Sequence, residues 1–216
     1  MKANTNKWYL LPGMGANPSY YDSLRKEINF EINFISWPTY KGEKTFSAMA
    51  KRIIDENSIK DGDIVSGSSL GGIVALEMAR HIKPRAIVLM GSAVSRSEVR
   101  RILALLAPLA VITPVSLIQR LAGKYENIVT RMFAEAEPEF IRAMCLYLPK
   151  WPGAAVSNAA LFRIHGQKDL VMPCPRTGCE KVPNAGHLLA LTHPVRCGNF
   201  LNKIDRQLTI DRGASE

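Results

Sequence analysis

The chain has 216 residues, 47% of them hydrophobic and 22% charged, with a formal net charge of +9. That length buries a sizeable core in one domain, and the composition excludes a disordered, collagen-like or disulfide-stapled class. The positive charge raises nucleic-acid or anionic-membrane contact, but the basic residues are scattered and no nucleic-acid-binding motif accompanies them, so they read as solvated surface.

In chain order, residues 8–11 form a short apolar strand that ends in Pro12-Gly13-Met14-Gly15. The spacing then predicts an amphipathic helix over 19–28 capped by Ser19, a strand over 31–37 stopped by Pro38, and a helix over 45–57. A turn at Asp61-Gly62 leads into a β-rich run at 63–66 and a helix over 70–82 that Lys83-Pro84 ends. Residues 86–90 are a continuous apolar strand bounded by Gly91, the pattern of a parallel sheet covered on both faces. Strands alternating with helices predict a doubly wound α/β sheet.

The rhythm breaks between 93 and 158. Residues 102–118 carry no charge and are flanked by Arg100, Arg101 and Arg120. Pro108 and Pro114 interrupt this run, which argues against a membrane span. A helix is expected over 135–148. The whole insertion is expected to cap the carboxyl ends of the strands, where open α/β sheets bind ligands. Strands return at 160–166 and 179–182, and a last helix is expected over 187–206.

The polar N-terminal residues do not form a signal peptide, and the four cysteines (Cys145, Cys174, Cys179, Cys197) form no disulfide framework. Reduced thiols in the cytoplasm are the expectation. Cys174 and Cys179 are short of a tetrahedral metal set.

The chemistry centres on Gly67-x-Ser69-x-Gly71. This frame, between an apolar strand and a helix, is that of a nucleophile elbow, a sharp turn that exposes one serine above the sheet. A serine hydroxyl needs a base. Of His81, His165, His187 and His193, chain order favours His187, which lies in the loop after the last strand. His81 sits at the far end of the elbow helix, His165 reads as structural, and His193 precedes Pro194. Asp169, after the penultimate strand, is the acid that would orient the imidazole, with Glu98 as the weaker alternative. The amides of Met14 and Leu70 are the candidate oxyanion donors.

The order Ser69, Asp169, His187, with a Gly-rich loop after the first strand, resembles the α/β-hydrolase superfamily. LPGMG (11–15) looks like its oxyanion loop, HGQKDLVMP (165–173) like its acid loop and AGH (185–187) like its histidine loop. The resemblance implies an α/β-hydrolase fold: one domain over 1–216, a mostly parallel sheet of about six strands without the leading hairpin, and a helical cap at about 93–158. The short span between Asp169 and His187 implies that the helix usually found there is lost or reduced to a turn.

It further implies a small serine hydrolase cleaving carboxylic esters or thioesters through an acyl-enzyme, with no cofactor and no metal. Its partner would be a small, lipophilic molecule, for which Ser92, Leu103, Leu106, Ile112, Met132 and Trp151 are the expected pocket residues. Two other readings stay open: a non-catalytic binding protein on the same fold, and a peripheral membrane protein anchored by residues 100–120.

Overall fold

The computed structural model describes residues 6–99, 128–154 and 157–213. Six strands form one sheet in the order β2-β1-β3-β4-β5-β6. They are β1 (Trp8–Leu11), β2 (Ile32–Phe34), β3 (Ile64–Ser68), β4 (Ala86–Met90), β5 (Ala160–Gly166) and β6 (Glu180–Val182). Every neighbouring pair is parallel. This is the expected α/β-hydrolase architecture.

Side chains along the strands alternate between two cores. On one face Tyr9, Leu11, Val65, Ile87 and Leu89 pack with residues of α2 (Phe46–Asn57), α3 (Leu70–Met78) and, further along the chain, α5 (Pro138–Tyr147). On the other, Trp8, Leu10, Ile64, Val88 and Met90 meet α1 (Asp22–Arg25), α6 (Leu189–Thr192) and α7 (Pro194–Gly213). The period of two sends successive residues to opposite faces, and both faces are covered at the centre of the sheet, so β1 and β4 are apolar throughout.

Several boundaries differ from expectation, each for a local reason. No single helix spans 19–28. The Asn17 side chain accepts from the Ser19 amide at 3.0 Å, Pro18 follows, and a 3₁₀ turn (Pro18–Tyr21) leads into the short α1. Asn17, not Ser19, is therefore the cap. β2 keeps only three of the seven expected residues, although Ile35 still donates to the Leu10 carbonyl at 2.9 Å. α3 ends at Met78, with Ala79 as its C-cap.

The helix expected over 135–148 begins only at Pro138 as α5, because Glu137 takes extended backbone ahead of the proline, and a separate helix not foreseen, α4 (Ile128–Glu135), precedes it. Pro194 likewise splits the last helix into α6 and α7. Between Asp169 and β6 the chain runs through turns with no helix, as the short span requires. Within the expected cap, residues 100–127, which include the uncharged run 102–118, and 155–156 lie outside the described residues.

Candidate active site

Ser69 stands at the junction of β3 and α3 with φ 52° and ψ −120°. A non-glycine residue is strained in that conformation, and it persists only where its surroundings overdetermine it. Here they do. A Cβ on Gly67 would lie 2.2 Å from the Gly71 carbonyl carbon, and one on Gly71 would lie 2.4 Å from the Leu11 and Pro12 carbonyl oxygens. Strand, helix and first loop touch backbone to backbone, which only glycine permits. The Ser69 amide donates to the Met90 carbonyl at 3.0 Å, and the Ser92 hydroxyl donates to the Ser69 carbonyl at 2.7 Å. The turn is thus tied to the neighbouring strand from both ends of the residue.

The Ser69 Oγ lies 2.7 Å from His187 Nε2, and His187 Nδ1 lies 2.9 Å from Asp169 Oδ2. Three residues from three separate loops at the carboxyl ends of β3, β5 and β6 form one hydrogen-bonded line. Two backbone contacts hold the last two loops together: Lys168 donates to the Ala185 carbonyl at 2.8 Å and Gln167 to the Val182 carbonyl at 3.1 Å. That stitching lets the short span bring histidine back to acid without an intervening helix.

Asp169 has a fully buried side chain. Its Oδ1 accepts from the amides of Val171 at 2.8 Å and Met172 at 2.9 Å, and its Oδ2 from His187 and His165. Burial alone would push the carboxyl up. The hydrogen bonds from His165 and His187, the charge of His187 and the Met172 amide outweigh it and hold the group well below the usual carboxylate range. An anionic carboxylate hydrogen-bonded on both oxygens behind an imidazole fixes its tautomer and favours its protonated form.

The loop after β1 sits directly over this line. A Cβ built on Gly13 would lie 3.6 Å from the Ser69 Cβ. Its peptide groups are held on both sides: the Gly13 amide donates to the Tyr21 hydroxyl at 2.8 Å, and the Trp37 indole donates to the Gly13 carbonyl at 3.0 Å. Neither the Met14 amide nor the Leu70 amide donates to an acceptor among the described residues. Two amides near the elbow in the chain, one in this loop and one in the first turn of α3, are therefore uncommitted among the described residues.

The other candidates lie elsewhere. His81 bonds Ser47 at 2.9 Å on an exposed surface, and His193 bonds the Thr192 hydroxyl at 2.9 Å. Glu98, the alternative acid, is engaged by Arg163, at 2.5 Å from Nη2 and 3.2 Å from Nη1, and takes the Val94 amide. His165 bonds Asp169 itself, so it is more than a remote structural histidine.

Among the expected pocket residues, Ser92 is buried with its hydroxyl spent on Ser69. Trp151 is buried behind α3, its indole donating to Glu77 at 3.0 Å. Both belong to the packing that supports the elbow and not to an open wall. Met132 is buried in the cluster that holds Ala16, beside the loop after β1, and its carbonyl meets Gly15. Leu103, Leu106 and Ile112 lie outside the described residues.

Tyr21 and Trp37 are not among the residues that the sequence singles out. No motif marks them, because their role is a contact with Gly13 that only the folded chain creates. Among the described residues no three His, Cys, Asp or Glu side chains gather as a metal site. The thiols of Cys174 and Cys179 both turn to the Pro175 carbonyl instead.

Comparison with known proteins places the chain in a family. A family model described as the alpha/beta hydrolase family matches residues 9–198. Comparison with curated proteins returns no match. Among solved structures the chain is similar to a carboxylesterase of Nitrososphaera gargenis, at 16% identity and a TM-score of 0.73, over 97% of this chain and 93% of that one.

It is also similar to a thermophilic esterase from Thermogutta terrifontis, at 18% identity and a TM-score of 0.69, over 94% and 90% of the two chains. The type II thioesterase BorB from the borrelidin biosynthetic cluster follows at 16% identity and a TM-score of 0.64, over 93% of each. At such identities the likeness is one of fold. The family match covers most of the sequence, and the chain belongs to the alpha/beta hydrolase family.

Proposed function

We propose that the protein is a serine hydrolase that cleaves a small, lipophilic carboxylic ester or thioester through an acyl-enzyme. The observation that carries this reading is the unbroken line from Ser69 Oγ through His187 to Asp169, with contacts of 2.7 and 2.9 Å. Those separations are within direct proton-transfer reach.

Ser69 Oγ attacks the acyl carbon while His187 Nε2 takes its proton. Asp169, kept anionic, stabilises the imidazolium that forms. Charge that develops on the carbonyl oxygen is met by the amides of Met14 and Leu70, which are otherwise unspent. As the tetrahedral species collapses, His187 returns the proton to the departing alcohol or thiol. Water, activated by the same imidazole, then releases the acid and restores Ser69.

The esterase and thioesterase likenesses support acyl transfer from oxygen or sulfur. The lipophilic preference rests on the uncharged stretch 102–118 within the cap expected at 93–158 of the single domain, and on Met132 beside the loop after β1. Four free cysteines fit residence in the cytoplasm. No described helix is long and apolar enough to cross a membrane.

The test is hydrolysis of p-nitrophenyl acetate, butyrate and octanoate, and of the matching acyl thioesters, by wild type and Ser69→Ala. Turnover that rises with chain length and vanishes in the variant is expected. Rates that fall steadily beyond acetate would remove the lipophilic preference, and turnover surviving in Ser69→Ala would remove the mechanism.

A further inference from the structure

The carboxylate of Asp169 is shared by two imidazoles. His187 Nδ1 reaches Oδ2 at 2.9 Å, and His165 Nε2 reaches the same oxygen at 3.1 Å. The reading of Ser69, His187 and Asp169 as a proton relay uses only the first. His165 is buried at 1% exposure, four residues before the acid at the end of β5.

The protonation of His165 follows from its neighbours. Its Nε2 also lies 2.6 Å from the Met172 carbonyl, an oxygen that can only accept. Nε2 must therefore carry the hydrogen, which it divides between that carbonyl and Asp169. Its Nδ1 is buried with no partner among the described residues. An unshared lone pair there costs less than a buried cation with an unmet N–H, so the ring is the neutral Nε2–H tautomer.

Met172 closes a small circuit. Its amide donates to Asp169 Oδ1 while its carbonyl receives His165. With Val171 on Oδ1 and His187 on Oδ2, the carboxylate accepts four hydrogen bonds, two on each oxygen. Neither oxygen is free to turn.

We propose that His165 is a positioning residue of the relay, donating its Nε2 proton to the same carboxylate oxygen that receives His187 and so fixing that oxygen's direction and basicity. The inference rests on the hydrolase reading above. As a neutral donor it competes with His187 for the negative charge on Oδ2. It therefore restrains how tightly Asp169 holds the imidazolium while keeping the oxygen aimed at Nδ1. Among the described residues the Cys174 thiol also feels the charge of Asp169. Burial, Cys179 and the charge of Asp169 push it up, so it stays neutral.

Two measurements test this. His165→Leu removes the donor, whereas His165→Gln places a carboxamide nitrogen at about the reach of Nε2. In His165→Leu, kcat should fall roughly tenfold with KM within about twofold. The acid limb of kcat/KM should move to higher pH by about half a unit, because the freed charge on Oδ2 favours protonated His187. His165→Gln should return the limb to its wild-type position. A folded His165→Leu with an unmoved limb, or a Gln variant that behaves like Leu, would overturn the proposal.

The second measurement uses wild-type protein and needs no substrate, so it separates this inference from the hydrolase reading. Imidazole nitrogen NMR should find His165 protonated at Nε2 and bare at Nδ1. Its Nε2–H resonance should shift as pH titrates His187. An unprotonated Nε2, or a resonance indifferent to His187, would overturn the proposal whether or not esters are cleaved.

Discussion

The hydroxyl of Tyr21 accepts the Gly13 amide at 2.8 Å, from a side chain that is only 1% exposed. A buried phenol thus holds the peptide immediately before Met14, whose own amide is the proposed oxyanion donor. Burial pushes the Tyr21 phenol up, so it remains a neutral acceptor at any working pH.

Tyr21→Phe removes the acceptor and leaves the Gly13 amide without one. Such a buried orphan costs about 1–3 kcal/mol of stability. Because the loop also loses its fixed direction, kcat should fall roughly tenfold with little change in KM. Steady-state kinetics beside a thermal melt separate the two effects. A kcat unchanged from wild type would mean that Met14 needs no such support.

The two carboxylates weighed as the acid should part company on substitution. Asp169→Asn keeps the shape of the site but removes the charge that stabilises the imidazolium, and kcat should fall by about 10⁴. Glu98→Gln disturbs only the contacts with Arg163 and the Val94 amide, away from Ser69, so it should lower stability while leaving the pH profile of hydrolysis in place. Equal losses of kcat in the two variants would reopen the assignment.

Asp169 also makes stability depend on pH. Its folded-state carboxyl titrates below its unfolded value, so its contribution is present above the unfolded pKa of about 3.9 and is lost as pH falls through the folded one. Urea unfolding of wild type and Asp169→Asn should differ most near neutrality, and the gap should narrow progressively as pH falls below about 4. A gap that stays constant to pH 3 would show that the carboxylate carries no such linkage.

Much of this site was legible because its constraints are local. Gly67, Ser69 and Gly71 announce a turn that few other residues can make. Asp169 and His187 follow successive strands in the one order that brings them to the same rim. Direction was harder to read. Ser92 follows a strand at the sheet's carboxyl edge, as a pocket residue would, yet its hydroxyl turns inward to Ser69.

Trp151 is apolar and lies late in the insertion, but its indole seeks the buried Glu77. The break at Pro138 and the cap at Asn17 show how a single proline or carboxamide redraws a helix that periodicity alone extends. Trp37 and Tyr21 could not be found by spacing, since each meets Gly13 only once the first loop has folded over β3.

The elbow itself should resist change. Gly71→Ala would place a Cβ 2.4 Å from two carbonyl oxygens, where nothing but backbone can move. The protein should lose its cooperative unfolding transition, as followed by circular dichroism. Retention of a wild-type melt would show that strand and helix stand further apart than described.

The most direct test of the central claim is intact-mass analysis after exposure to a fluorophosphonate, a reagent that marks an activated serine. One adduct on Ser69 in the wild type, none in Ser69→Ala, and labelling slowed by roughly 10³ or more in His187→Ala are the expected results. A wild-type protein that stays unlabelled, or an adduct that persists in Ser69→Ala, would contradict the account.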